Sequence, residues 1–135
     1  MVDPFLFELV SPEKLLLSEN TEMVVVPGVE GDFGILIGHA ALISTLRPGV
    51  INIHAKNKID KSIFVAGGFA DVTGERCTIL AEEAILVDDI EPHEAQDRLN
   101  VARSALETAT DDTSRGKAEI ELATAIAMTN IDRQV

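Results

Sequence analysis

The residues of this chain that could do chemistry are three histidines, one cysteine, a glycine-rich acidic loop and one carboxylate pair. His39, His54 and His93 have the donors of a metal site, but no two stand at the i, i+4 spacing that sets two ligands on one helix face. His54 falls in an alternating strand and His93 in a helical first turn, so both read as surface residues. Cys77 would need a neighbouring base to act as a nucleophile, and none is evident; it reads as a small buried hydrophobe. Gly28, Gly31, Gly34 and Gly38 have the density of a phosphate loop. No Gly-Lys-Ser/Thr follows them, and Glu30 and Asp32 between them repel phosphate, so these glycines are expected to serve tight turns. Glu82 and Glu83 could supply acid and base, yet adjacent residues of a strand point to opposite faces. The expectation is no catalytic residue, no cofactor and no metal site.

Composition narrows the classes further. The chain has 135 residues, 46% of them hydrophobic, which suits one compact domain or a small domain with an appendage. Eleven basic residues face 23 acidic ones, a net charge of −12. That argues against nucleic acid and against docking on anionic lipid, both of which need clustered positive charge. A single cysteine excludes a disulfide framework and a four-thiolate zinc site. Without tryptophan or tyrosine, the usual aromatic anchors for ligands are missing. Met1-Val2-Asp3-Pro4 has no basic stretch of the secretory kind. Phe33 to Ile43 is too short to span a bilayer and is interrupted by Gly38 and His39. A soluble, cytoplasmic protein without direct membrane insertion is expected, meeting a membrane only through a partner.

The elements that position these residues follow two different rules. Up to residue 87 the pattern is that of strands: Phe5, Phe7 and Leu9 alternate with Leu6, Glu8 and Val10. Met23 to Val26 is expected to end at a Pro27-Gly28 turn, and Arg47-Pro48-Gly49 to form another, with positive φ at Gly49. Ile51 to His54 alternates until Lys56-Asn57-Lys58 breaks the run. Ile63 to Val72 is expected to fold as a hairpin around Gly67-Gly68, and Thr73 to Arg76 to turn into Cys77-Thr78-Ile79-Leu80. Short strands with turns this frequent indicate a sandwich or barrel, and a sandwich is taken here. From Asp88 on, Ala95, Leu99, Ala102, Leu106 and Ala109 recur at helical spacing behind Pro92, with Glu91 and Glu94 at the helix start. Thr110 to Gly116 should be the turn of a helical hairpin, with Thr113 or Ser114 capping a second helix that runs to about Asn130. That helix is apolar on two sides: Leu122, Ala125, Ile126 and Thr129 on one, Ile120, Ala123, Ala127 and Ile131 on another. The second side needs a cover, either the sandwich or a separate protein. The fold class expected is therefore an N-terminal antiparallel β-sandwich (1–87) followed by a C-terminal antiparallel helical hairpin (88–135), each with a net charge of −6.

Three blocks carry a family resemblance: PGVEGDFGILIGHAALISTLRPGV (27–50), FVAGGFADV with CTILAEEA (64–72 and 77–84), and AEIELATAIAMTNI (118–131). Their order and spacing resemble the epsilon subunits of bacterial F-type ATP synthases across nearly the whole chain. The resemblance implies a non-catalytic part of the central rotor. Its sandwich would bind the gamma subunit and the c-subunit ring, coupling proton flow to ATP synthesis at the cytoplasmic face of the inner membrane. The helical hairpin would then lie on the sandwich or extend along gamma toward the alpha and beta subunits, as a possible regulatory element.

By the same resemblance Glu30, Asp32 and His39 match positions facing the ring, whose loops commonly carry basic side chains. The alternative, read from the residues alone, is that Asp32 merely tops a solvated turn and His39 caps a strand. The chain departs from the family pattern at Ile37 and Ala41, where prolines are usual. It departs again at Ile90-Glu91-Pro92-His93-Glu94-Ala95: relatives that bind ATP there have arginine where Glu94 stands, so useful ATP binding is not expected. Strong inhibition by the hairpin is not expected either, since Arg115, Lys117 and Arg133 are opposed by Glu119, Glu121 and Asp132. The competing readings are a nucleotide-sensing hairpin protein and a free-standing β-sandwich binding module.

Overall fold

The computed structural model describes residues 3–56 and 58–131. Asn57, Asp132 and Arg133, which figured in the turn and hairpin expectations, lie outside them. Eight strands come first: β1 (Phe5–Val10), β2 (Leu15–Thr21), β3 (Met23–Gly28), β4 (Gly31–Ile35), β5 (Leu42–Thr45), β6 (Gly49–Ala55), β7 (Lys58–Val72) and β8 (Arg76–Leu86). A short 3₁₀ turn (Val87–Asp89) and two helices, α1 (Pro92–Thr108) and α2 (Asp112–Thr129), complete the chain. The chain divides into two compact units, Met1–Leu86 and Val87–Val135.

In the first unit the strands run in the order β2-β1-β8-β7-β6-β3-β4, with β5 pairing to β7 off that path. All described pairings are antiparallel except β1 with β8, which is parallel, a detail the expected all-antiparallel sandwich did not include. The alternation expected for Phe5, Phe7 and Leu9 holds: all three are buried while their neighbours are not. They join Val24, Val26, Ile35, Ile51, Ile53 and Ile79 in one apolar core.

The expected hairpin at Gly67-Gly68 is not formed. β7 runs straight through the pair, and the turn lies beyond it, where Thr73 N–H donates to Arg76 O at 2.8 Å. The glycines do something else. Core residues of β7 are odd-numbered before them (Ile63, Val65) and even-numbered after them (Ala70, Val72). Side chains of a strand alternate faces strictly, so this change of phase requires a local break in the pleat. Gly67 and Gly68 supply it with φ of 70° and 121°. β8 changes phase opposite them, from Cys77, Ile79 and Ala81 to Ala84. As a result the first part of β7 pairs with β6 and the last part with β5. Two apolar runs around Gly-Gly look like a hairpin in sequence because glycines that re-phase a strand and glycines that reverse it are the same residues.

Two further turns differ from expectation. Pro27-Gly28 lies inside β3, and the chain reverses one step later at Val29-Glu30, with Gly28 paired to Gly31. Gly49 begins β6 without positive φ; a Cβ there would come within 2.9 Å of Pro27 Cβ, so its smallness is what matters.

In the second unit Leu99, Ala102, Leu122 and Ala125 form the seam between the helices. Arg98 pairs with Glu121 across it, with Nη2 3.2 Å from Oε2. The interhelical turn is shorter than Thr110–Gly116 and the cap is neither Thr113 nor Ser114. Asp111 caps α2: its carboxylate accepts from Ser114 N–H at 2.7 Å, and Ser114 answers from the third helical position as in a capping box. Those bonds, the backbone one foremost, hold the Asp111 carboxyl below its ordinary pKa. The second apolar side of α2 is only partly covered: Ala127 and Ile131 are half-buried, whereas Ile120 is 71% exposed and Ala123 exposed.

Gly68 offers a direct test of the phase change. A Cβ at this position would lie 1.7 Å from Leu80 O, on a backbone that L-residues rarely adopt. Gly68→Ala should cost at least about 2 kcal/mol in urea unfolding. Gly34→Ala, whose Cβ meets nothing closer than Met23 Sδ at 3.9 Å, should change stability by less than about 0.5 kcal/mol.

Candidate functional site

The site that the sequence singled out is built on the β3–β4 hairpin. β3 is rich in β-branched residues and β4 is short, so the two arms pair from Val24–Ile35 down to Gly28–Gly31. Gly31, at φ 133°, lets the two-residue Val29-Glu30 loop close. Glu30 and Asp32 are thereby carried to the hairpin tip, both exposed.

A neighbouring segment braces this tip. Val29 N–H donates to Thr45 O at 3.1 Å, Leu46 forms a backbone bridge with Gly28, and Arg47 N–H donates to Pro27 O at 2.9 Å. The Arg47 guanidinium then spans both arms, donating from Nη1 to Gly28 O at 2.6 Å and from Nη2 to Asp32 Oδ1. Between the hairpin and β5 lies an open groove of about 480 Å³, lined by residues 28–33 and 42–45. Its rim carries two uncovered apolar side chains, Val29 (56% exposed) and Ile43 (73%).

The structure thus brings Glu30 and Asp32 into one groove. His39 stands in the loop after β4, where its ring centroid lies 6.5 Å from that of Phe33, a groove residue, and its Nδ1 lies 2.8 Å from Ala40 O. The loop is tied by Gly38 N–H to Gly74 O (2.8 Å) and His39 N–H to Leu36 O (3.1 Å). The residue that sequence reasoning missed is Arg47, read only as part of a turn. Fifteen positions separate it from Asp32, and no local spacing rule connects residues paired through neighbouring strands.

The remaining candidates stay apart from this groove. Burial, and secondarily the charge of Asp71, pushes the Cys77 thiol up to about 12. Glu82 is exposed on β8, and Glu94 is exposed on the first turn of α1. No cluster of three metal-ligating side chains occurs among the described residues, and no described helix is long and apolar enough to cross a membrane.

Residues 4–87 match the family model for the ATP synthase delta/epsilon chain, β-sandwich domain. The chain belongs to the ATP synthase epsilon-chain family. An epsilon chain of Paramagnetospirillum magneticum is 52% identical over 118 residues, covering 87% of this chain and 89% of the relative. One from Rhodospirillum rubrum is 52% identical over 121 residues (90% and 89%), and one from Brucella anthropi 48% over 122 (90% of each). In fold, the chain is similar to a chain of the Euglena gracilis mitochondrial ATP synthase OSCP/F1/c-ring structure. The TM-score is 0.79 at 23% identity, over 95% of this chain and 81% of that one. It is also similar to a chain of the Tetrahymena thermophila mitochondrial ATP synthase central stalk/c-ring structure (TM-score 0.67, 15% identity, 95% and 96% covered). Epsilon chains are non-catalytic subunits of the ATP synthase complex, in keeping with a site made of turn carboxylates and apolar rim residues.

The thiol's state predicts a simple result. In the native protein at pH 8 Cys77 should resist a thiol-specific chromophoric reagent, and in guanidinium one thiol per chain should react at once; rapid native labelling would contradict the burial described.

Proposed function

We propose that this epsilon chain is a rotor component that joins the gamma subunit to the c-subunit ring and so couples proton flow to ATP synthesis. It would sit peripherally at the cytoplasmic face of the bacterial inner membrane. The β3–β4 tip is the ring-facing surface. The observation that carries this reading is the groove itself: exposed carboxylates at Glu30 and Asp32 beside exposed Val29 and Ile43. Charges at the edge of an apolar patch steer a partner of opposite charge and fix its register, while the patch supplies burial. Basic side chains on the ring loops suit this arrangement. His39 borders it through Phe33. The likeness in fold to chains of structures that contain a c ring supports membership of such an assembly.

The hairpin has a lesser part in this proposal. Its described cations Arg98, Arg103, Arg115 and Lys117 are outnumbered by acidic residues, which leaves little with which to grip an acidic segment of a beta subunit. Weak regulation of hydrolysis is its assigned role.

Replacing Asp32 with lysine reverses one charge in the groove and sets a second cation beside Arg47. Affinity of the gamma–epsilon pair for the isolated c ring should fall about tenfold. Unaltered affinity would contradict the placement of the ring at this hairpin.

A further inference from the structure

Beside the backbone bonds that brace the β3–β4 tip, one side chain clasps it and also cancels part of its charge. Arg47 makes three bonds to the hairpin, two to the β3 arm through Pro27 O and Gly28 O and one to the β4 arm through Asp32. Pro27 and Asp32 are cross-strand partners in the β3–β4 ladder, and the guanidinium adds a side-chain clasp from one arm to the other beside that pair. Pro48 follows Arg47 and biases its backbone to the extended conformation that runs beside β3. Upstream, Leu46 N–H donates to Gly68 O at 3.2 Å, anchoring the segment to the phase change of β7. Glu30, by contrast, makes no hydrogen bond or ion pair among the described residues and stands at the exposed turn.

We propose that Arg47 is the positioning residue of the ring-facing surface: it fixes the hairpin and neutralises Asp32 in advance, leaving Glu30 as the carboxylate that meets a basic side chain of the ring. This rests on the ring-facing reading given above. The physical case is one of desolvation. In the free subunit the Arg47–Asp32 pair is exposed and contributes little. Once a partner covers the groove, an unpaired Asp32 would be stripped of water, whereas a paired one is already satisfied. Glu30 alone arrives with an unmet charge, and an unmet charge at a rim confers salt-dependent docking. Arginine suits this task where lysine does not. Its planar fork reaches a carbonyl and a carboxylate at once, and an ammonium offers one point charge.

The sign of one substitution separates this arrangement from simple charge attraction. Arg47→Met makes the groove more negative. If Asp32 met the ring directly, binding to basic loops would tighten at low salt. If Arg47 positions the hairpin, binding should weaken about tenfold, with Arg47→Lys recovering only part of the loss. The measurement is the affinity of the gamma–epsilon pair, with the full chain, for the purified c ring across a salt series. Glu30→Gln should remove most of the salt dependence, and Asp32→Asn considerably less. Equal or tighter binding by Arg47→Met, or a salt slope carried by Asp32 rather than Glu30, overturns the proposal while leaving the ring-facing reading intact. Wild-type affinity for Asp32→Lys overturns that reading and this proposal with it.

Discussion

The carbonyl oxygen of Leu80 sets the shape of the sandwich. It lies so close to Gly68 that no side chain fits between, and this contact is where β7 and β8 change which face they present to the core. Without that change, Ala70, Val72, Cys77 and Ile79 would bury the wrong side of their strands relative to Ile63, Val65 and Ala84. A single long strand can then serve β6 with its first part and β5 with its last. The two-layer arrangement therefore depends on a pair of glycines, and no other residue tolerates both the dihedral angles and the approach.

The same contact reaches the groove. Gly68 O accepts from Leu46 N–H, Leu46 bridges to Gly28, and the next residue, Arg47, grips the acidic hairpin. A backbone constraint in the interior thus becomes the orientation of a surface carboxylate. This matters for a subunit that carries no chemistry of its own. In the role proposed for it, it must keep a charged patch in register with a partner, and rigidity under the patch is the means of doing so.

Much of this was legible in the chain. Alternating Phe5, Phe7 and Leu9 marked a strand, and the spacing of Ala95, Leu99 and Ala102 marked a helix, because each periodicity has only one structural source. The turns were less legible. Pro27-Gly28 and Gly67-Gly68 looked like reversals and turned out to be the end of one strand and the interior of another, since glycine reports a need for space or unusual φ without saying which. The cap of α2 fell on Asp111 rather than Thr113 or Ser114: five consecutive capping types, Thr110 to Ser114, compete there, and the reciprocal bond with Ser114 decides among them. In the groove, Glu30 and Asp32 could be picked out by local charge and glycine content. Arg47 could not, because its link to Asp32 exists only after β3, β4 and β6 have assembled.

In the proposed role a non-catalytic subunit couples one reaction of the complex to another. Inverted membrane vesicles lacking this chain, and the same vesicles with it restored, separate the two activities. Measuring ATP hydrolysis alongside ATP-driven proton uptake should show hydrolysis in both preparations, and proton uptake only where the chain is present. If the vesicles without it pump protons as well as those with it, or if removing it abolishes hydrolysis itself, the proposed coupling role is wrong.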